Sequence, residues 1–114
     1  DFGDLTAATT QPGAFSNSTR GVTGGGQSPS NTNVINFITI ATTGNAIDFG
    51  DRTVAVEQST GASSPTRGVF AGGNPLTNLI DFVEISTTGN AIDFGDLTEI
   101  RRGAAGASNG HGGL

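Results

Sequence analysis

Asn78-Leu79-Ile80-Asp81-Phe82-Val83-Glu84-Ile85-Ser86-Thr87-Thr88-Gly89-Asn90-Ala91-Ile92-Asp93-Phe94-Gly95-Asp96 repeats, almost residue for residue, the earlier stretch from Asn33 to Asp51. Its first part, Leu79 to Ile85, is β-branched and aromatic with polar Asp81 and Glu84 interspersed. Val34 to Ile40 repeats it with Asn36 and Thr39 in those places. Such a run reads as a strand. Thr-Thr-Gly-Asn, at 42–45 and 87–90, supplies turn residues. Ala46 to Phe49 and Ala91 to Phe94 then form the second arm of a hairpin, ended by Gly-Asp and as short as outer-edge strands tend to be.

The Asp-Phe-Gly-Asp that closes this stretch stands at Asp1, Asp48 and Asp93, at intervals of 47 and 45 residues. Intervals of about 40–50 residues are those of four-stranded blades rather than helical hairpins. Asp1–Gly26 and Asp48–Gly73 align without a gap, and Thr19-Arg20-Gly21-Val22 recurs as Thr66-Arg67-Gly68-Val69. Pro12 to Ser16, Ser59 to Ser63 and Ala104 to Ser108 are nearly all small residues, apart from Phe15, as suits an inner strand crowded by its neighbours. A turn follows each, including the hairpin dipeptide Asn109-Gly110, and then a second strand, Gly68 to Ala71, that closes on Gly72-Gly73. Each unit is therefore expected to give four antiparallel strands. Residues 1–47 form repeat 1, 48–92 repeat 2 and 93–114 part of repeat 3, all in one domain. Asp1 opens a motif and Leu114 aligns with Val22 and Val69 in mid-strand, so a piece of a longer array is expected. A repeat unit buries its apolar face only against a neighbour, and a lone piece is expected to be unstable.

Composition narrows the function classes. Among 114 residues there is no cysteine, which leaves no disulfide or thiol chemistry. The net charge is −5 and all five cations are arginines, scattered except for Arg101-Arg102. Nucleic-acid binding needs a basic patch or stripe, which this is not. No apolar run approaches the roughly 20 residues of a membrane helix, and the chain reads as soluble.

A strand ending in Gly-Gly, a variable loop and a strand with a central aromatic resemble the kelch repeat. In the outer strand Phe49 and Phe94 replace the usual tryptophan, and Phe70, Phe37 and Phe82 replace the tyrosines. Asn33 to Ala46 with the following Asp-Phe-Gly-Asp is more specifically similar to kelch-like repeats in virion proteins of marine and cyanobacterial tailed phages. The resemblance implies an all-β fold of kelch-like β-propeller blades, a fragment of a larger propeller. It further implies a non-enzymatic virion component of tail, fibre or decoration type, with other virion proteins and host-surface glycans as partners in a larger symmetric assembly. The alternative is a cellular kelch-type propeller that binds proteins or carbohydrates.

No constellation specifies a reaction. Asp-Phe-Gly matches the kinase magnesium triplet, but the chain has no lysine and no His-Arg-Asp loop. Asp48 and Asp51, with Asn45 nearby, are too few oxygens for calcium, which takes 6–8; the first aspartate is read as a turn cap. The glycine runs at Gly24-Gly25-Gly26 and Gly72-Gly73 lack the following helix of a phosphate cradle. His111, the single histidine, stands where the other copies carry Thr19 and Thr66, and reads as a surface substitution. Arg20 and Arg67 are expected to bridge adjacent units through backbone carbonyls. Asn17-Ser18-Thr19 fits the glycosylation pattern, a match frequent by chance. No catalytic, metal or cofactor site is assigned.

Positions identical between copies are expected to hold the unit together, and variable ones to face solvent or a ligand. The most variable segments are Gln27 to Thr32 and Asn74 to Thr77. The resemblance to kelch-like propellers implies that they open on the same face as the links between blades, here Ala7 to Gln11 and Val54 to Gln58. Gln27, Ser28, Ser30, Asn31, Asn74, Leu76 and Thr77 are the candidate ligand-facing residues.

Overall fold

The computed structural model describes residues 1–108. Regular structure among them is all strand: β1 (Gly13–Ser16), β2 (Arg20–Gly24), β3 (Val34–Thr39), β4 (Ile47–Asp51), β5 (Thr60–Ser63), β6 (Arg67–Ala71), β7 (Thr77–Glu84) and β8 (Ile92–Arg101). β1 to β4 form one four-stranded antiparallel sheet in chain order, sheet 1, and β5 to β8 form sheet 2 in the same way. The aromatic-aliphatic runs are the third strands, and the Asp-Phe-Gly-Asp copies at Asp48 and Asp93 lie in the fourth.

Two expectations need correction. Ala104 to Ser108 does not form a strand. It runs beside β5, where a Cβ on Gly106 would stand 2.5 Å from the Gly61 carbonyl oxygen. That sideways contact is of the kind Gly61 makes with Ala14, and it builds no hydrogen-bonded ladder. The fourth strand of sheet 2 is also long rather than short, reaching Arg101, which pairs with Thr77. The shorter loop before β7 leaves Thr77 in the ladder, whereas its counterpart Thr32 turns back to give its N–H to the Gly26 carbonyl. The turn at Asn109-Gly110, His111 and Leu114 lie outside the described residues.

The core lies between the sheets. Register puts Phe15, Val22 and Phe37 side by side across β1, β2 and β3, and this face meets Gly68, Phe70 and Val83 of sheet 2. The Phe15 and Phe70 rings are 4.7 Å apart at 50°. Gly68 has to be glycine because its Cβ would enter the Phe15 ring. Burial of each large side chain here is worth about 1.5–3 kcal/mol, and the contact between sheets, rather than either sheet alone, supplies it. Equivalent residues prove the point. Phe49 is 3 % exposed beneath sheet 2, while Phe94, its counterpart with no described sheet after it, is 54 % exposed. On the opposite face, Ile85 is fully buried against sheet 1 and its counterpart Ile40 is 44 % exposed.

The link between sheets contains one strained position per unit. Gln11 and Gln58 have φ of 55°, and Gly103 stands at the third copy with φ of 63°. Each donates or accepts along a chain of links: Gln58 N–H to Gln11 O, and Gly103 N–H to Gln58 O, both at 2.9 Å. Gln58→Gly is expected to change stability by less than about 0.5 kcal/mol, and Gln58→Val to cost about 1–3 kcal/mol, because a β-branched residue is forced into the left-handed region. Thermal melts of the two variants check this.

Candidate functional site

The paired glycines organise one face of the molecule. Gly25 and Gly72 turn the chain at the end of the second strand with φ of 71° and 66°. A Cβ there would stand 2.5 Å from Val56 O or Arg101 O, on the passing link to the next unit. Their N–H groups bond to Val34 O and Leu79 O, and those of Gly26 and Gly73 to Val56 O and Arg101 O. All four donors are engaged by backbone, and the glycines serve chain geometry rather than phosphate binding.

Beyond the glycines the variable loops and the links meet. Gln27 and Thr10 exchange both backbone hydrogen bonds at 2.9 and 3.0 Å, and Asn74 and Glu57 do the same at 2.7 and 3.0 Å. Asn74 Nδ2 also donates to Glu57 Oε1 at 2.9 Å. Asn31 Nδ2 reaches across to Asn74 O at 2.7 Å and ties the two loops together, and Ser28 N–H closes on Ser30 O at 2.8 Å. The candidate residues therefore share one surface but divide in role. Gln27, Ser30 and Leu76 project into solvent. Asn31 and Asn74 are half-buried braces, Ser28 closes its loop, and Thr77 lies in β7 with its hydroxyl accepting from Leu79 N–H.

The repeated motifs prove to be joints between sheets. Gly89 and Ala91 N–H donate to Phe49 O and Asp51 O, and Gly44 and Ala46 N–H donate likewise to Phe2 O and Asp4 O, all at 2.8 Å. Asn90 Oδ1 accepts from Asp51 N–H, and Asn45 Oδ1 from Asp4 N–H, at 3.0 Å. The Asp-Phe-Gly-Asp copies at Asp1 and Asp48 are thus clasped by the Thr-Thr-Gly-Asn-Ala turn of the following sheet. Asp48 and Asp93 accept from Gly50 and Gly95 N–H and cap the turn, as expected. Among the described residues no group of three or more His, Cys, Asp or Glu is placed to hold a metal.

The arginines differ. Arg20 Nη1 donates to Ile85 O of sheet 2 at 2.8 Å while lying 4.3 Å over the Phe37 ring, which is the bridge expected of it. Arg67 instead lies over Phe82 and pairs with Glu84 of its own sheet, both about half exposed. Arg20→Ala is expected to cost about 1.5–3 kcal/mol, as for a charge-assisted hydrogen bond, and Arg67→Ala under about 1 kcal/mol; urea denaturation of the two variants measures both. Asn17 is held as a turn residue: Oδ1 accepts from Thr19 and Arg20 N–H, and Nδ2 donates to Pro65 O.

The most demanding polar group was not foreseen. Arg52 and Asp81 form a fully buried ion pair, with Nη2 to Oδ1 at 2.9 Å and Nε shared between both carboxylate oxygens at 3.3 Å. Asp81 also accepts from Thr53 N–H and Oγ1, Arg52 Nη1 donates to Ser59 Oγ, and the guanidinium lies 4.7 Å from the Phe70 ring centre. No described buried side-chain nitrogen or oxygen lacks a partner. These residues vary between copies, Leu5 and Asn36 standing where Arg52 and Asp81 do, and yet they are interior. Variation alone did not mark solvent-facing positions.

The outer face of sheet 1 carries an apolar hollow of about 190 Å³, lined by Leu5, Ala14, Thr23, Asn36, Phe37 and Ile38 among others, none of them a titratable group. No helix among the described residues is long and apolar enough to cross a membrane. Chemically, the molecule offers a braced polar loop surface and two open sheet faces. No family model matches this sequence, and no curated protein matches it.

Proposed function

We propose that the chain is a non-enzymatic scaffold of kelch-like propeller blades that displays loops for recognition, as a structural or adhesive component of a phage virion. The observation that carries the display reading is the loop face, where Gln27, Ser30 and Leu76 stand free on loops whose backbones are pinned to the links and, through Asn31, to each other. A pinned loop loses little conformational entropy on binding. Many such faces on a symmetric particle add weak contacts by multivalency. The kelch-like and virion setting is supported by the sequence resemblance, and host-surface glycans or neighbouring virion proteins are the partners that polar, lysine-free loops suit.

The test is a glycan array and a binding screen against purified virion proteins. A positive result that is lost in Gln27→Ala/Ser30→Ala/Leu76→Ser, with an unchanged melting midpoint, is the expected outcome. Absence of any glycan or protein ligand in both screens would end the display reading.

A further inference from the structure

We propose that the sheet-to-sheet junctions of this array are of two alternating kinds, and that the open face of sheet 2 receives a sheet of the β1–β4 kind, a second copy of sheet 1. The inference rests on the array reading and adds the identity of the neighbour.

The junction seen between sheets 1 and 2 is a template. There Phe70 fills the space over Gly13 and Gly24, and a Cβ on Gly24 would stand 2.5 Å from the ring. The open face of sheet 2 carries Thr60 and Ala71 where sheet 1 has those glycines. Both have a Cβ, so a Phe70-like ring does not fit on them, whereas Thr23, the counterpart of Phe70 in sheet 1, is small enough.

A second observation concerns charge. Arg52 leaves sheet 1 beside Gly25 and meets Asp81 of sheet 2. Its counterpart in sheet 2 is Leu97 of β8, which lies beside Gly72 with Cδ1 3.6 Å from the position of a Cβ there. A sheet of the β5–β8 kind would bury its Asp81 carboxylate against that leucine without a partner, a costly arrangement. A sheet of the β1–β4 kind brings Asn36, and the contact already exists at the other end of the molecule, where Leu5 lines the hollow with Asn36 and Thr6 Oγ1 bonds Asn36 Oδ1 at 2.6 Å. Asp93 to Thr98 repeats Asp1 to Thr6 without a change, whereas Asp48 to Thr53 differs by its arginine. Size and charge thus name the same occupant.

The experiment is a tandem chain in which residues 1–92 precede the complete 114-residue chain, so that Asp1 to Thr6 of the second unit stand where Asp93 to Thr98 stood. It is expected to unfold in one transition with a midpoint above that of the single chain. Thr23→Phe/Asn36→Asp in the second unit should lower the tandem midpoint by about 1 M urea or more, and do less in the single chain, where that face is open. Adding Leu5→Arg in the second unit and Ala71→Gly in the first should recover most of the loss. Two separate transitions at the single-chain midpoint would sink the stacking itself. A cooperative tandem indifferent to the exchange would sink only the alternation.

Discussion

Arg52→Leu, which installs the residue found at the equivalent place in the other two repeats, is expected to lower stability by about 3–5 kcal/mol. The change looks conservative by comparison of copies, and the leucine is of a size the link accepts elsewhere. Its cost comes from what it leaves behind: Asp81, fully buried, keeps its two contacts from Thr53 but loses the guanidinium that neutralises it. A domain of this size has a total stability of about 5–15 kcal/mol, so the single variant stands near the edge of unfolding. Asp81→Asn in the Arg52→Leu background restores the pairing that Leu5 and Asn36 already make, and it should recover most of the loss, since replacing both members of a buried pair is often neutral or stabilising. With neither tryptophan nor tyrosine in the chain, the double-mutant cycle is best followed by far-ultraviolet circular dichroism in urea. A single-variant loss below about 1 kcal/mol would show that water reaches the pair.

The second large effect is at Phe70. Its ring is fully buried, packs on Phe15, covers Gly13 and Gly24, and carries Arg52 on one face. Phe70→Ala removes the wedge between the sheets and is expected to cost about 3–5 kcal/mol through transfer and cavity terms. Phe82→Ala, at a ring only half covered and on the open side of sheet 2, should cost markedly less. Equal losses at the two sites would mean that the sheets do not press on one another through Phe70. A larger loss at Phe70, accompanied by a shallower urea transition, would mark the junction as the point at which the sheets come apart.

Much of this architecture was legible because the chain carries its own alignment. Strand identity followed from the alternation in Leu79 to Ile85 and its copy, and the paired glycines marked where the second strand ends. What was not legible has a common physical cause: it lies between units, and a repeat read one unit at a time does not show what touches across a junction. Asn45 and Asn90 looked like turn residues, and their side chains in fact hold the outer strand of the preceding unit. Arg52, Asp81 and Phe70 differ between copies, and read one unit at a time none of them is marked as a junction residue. The signal was present, since Leu5 to Arg52, Asn36 to Asp81 and Thr23 to Phe70 all change in the same repeat, the pattern of compensating neighbours. Of the loop face, its location was readable and its internal division was not, because Asn31 and Asn74 spend their amides on partners in other segments, Asn74 O and Glu57 Oε1.

The clasp on Asp-Phe-Gly-Asp has a consequence for durability. β4 belongs by covalent connection to sheet 1 and is gripped by the turn of sheet 2, so peptide continuity and hydrogen bonding run in parallel from one unit to the next. A severed backbone at the exposed Thr53 would leave the two pieces still fastened to one another by the hydrogen bonds of the clasp.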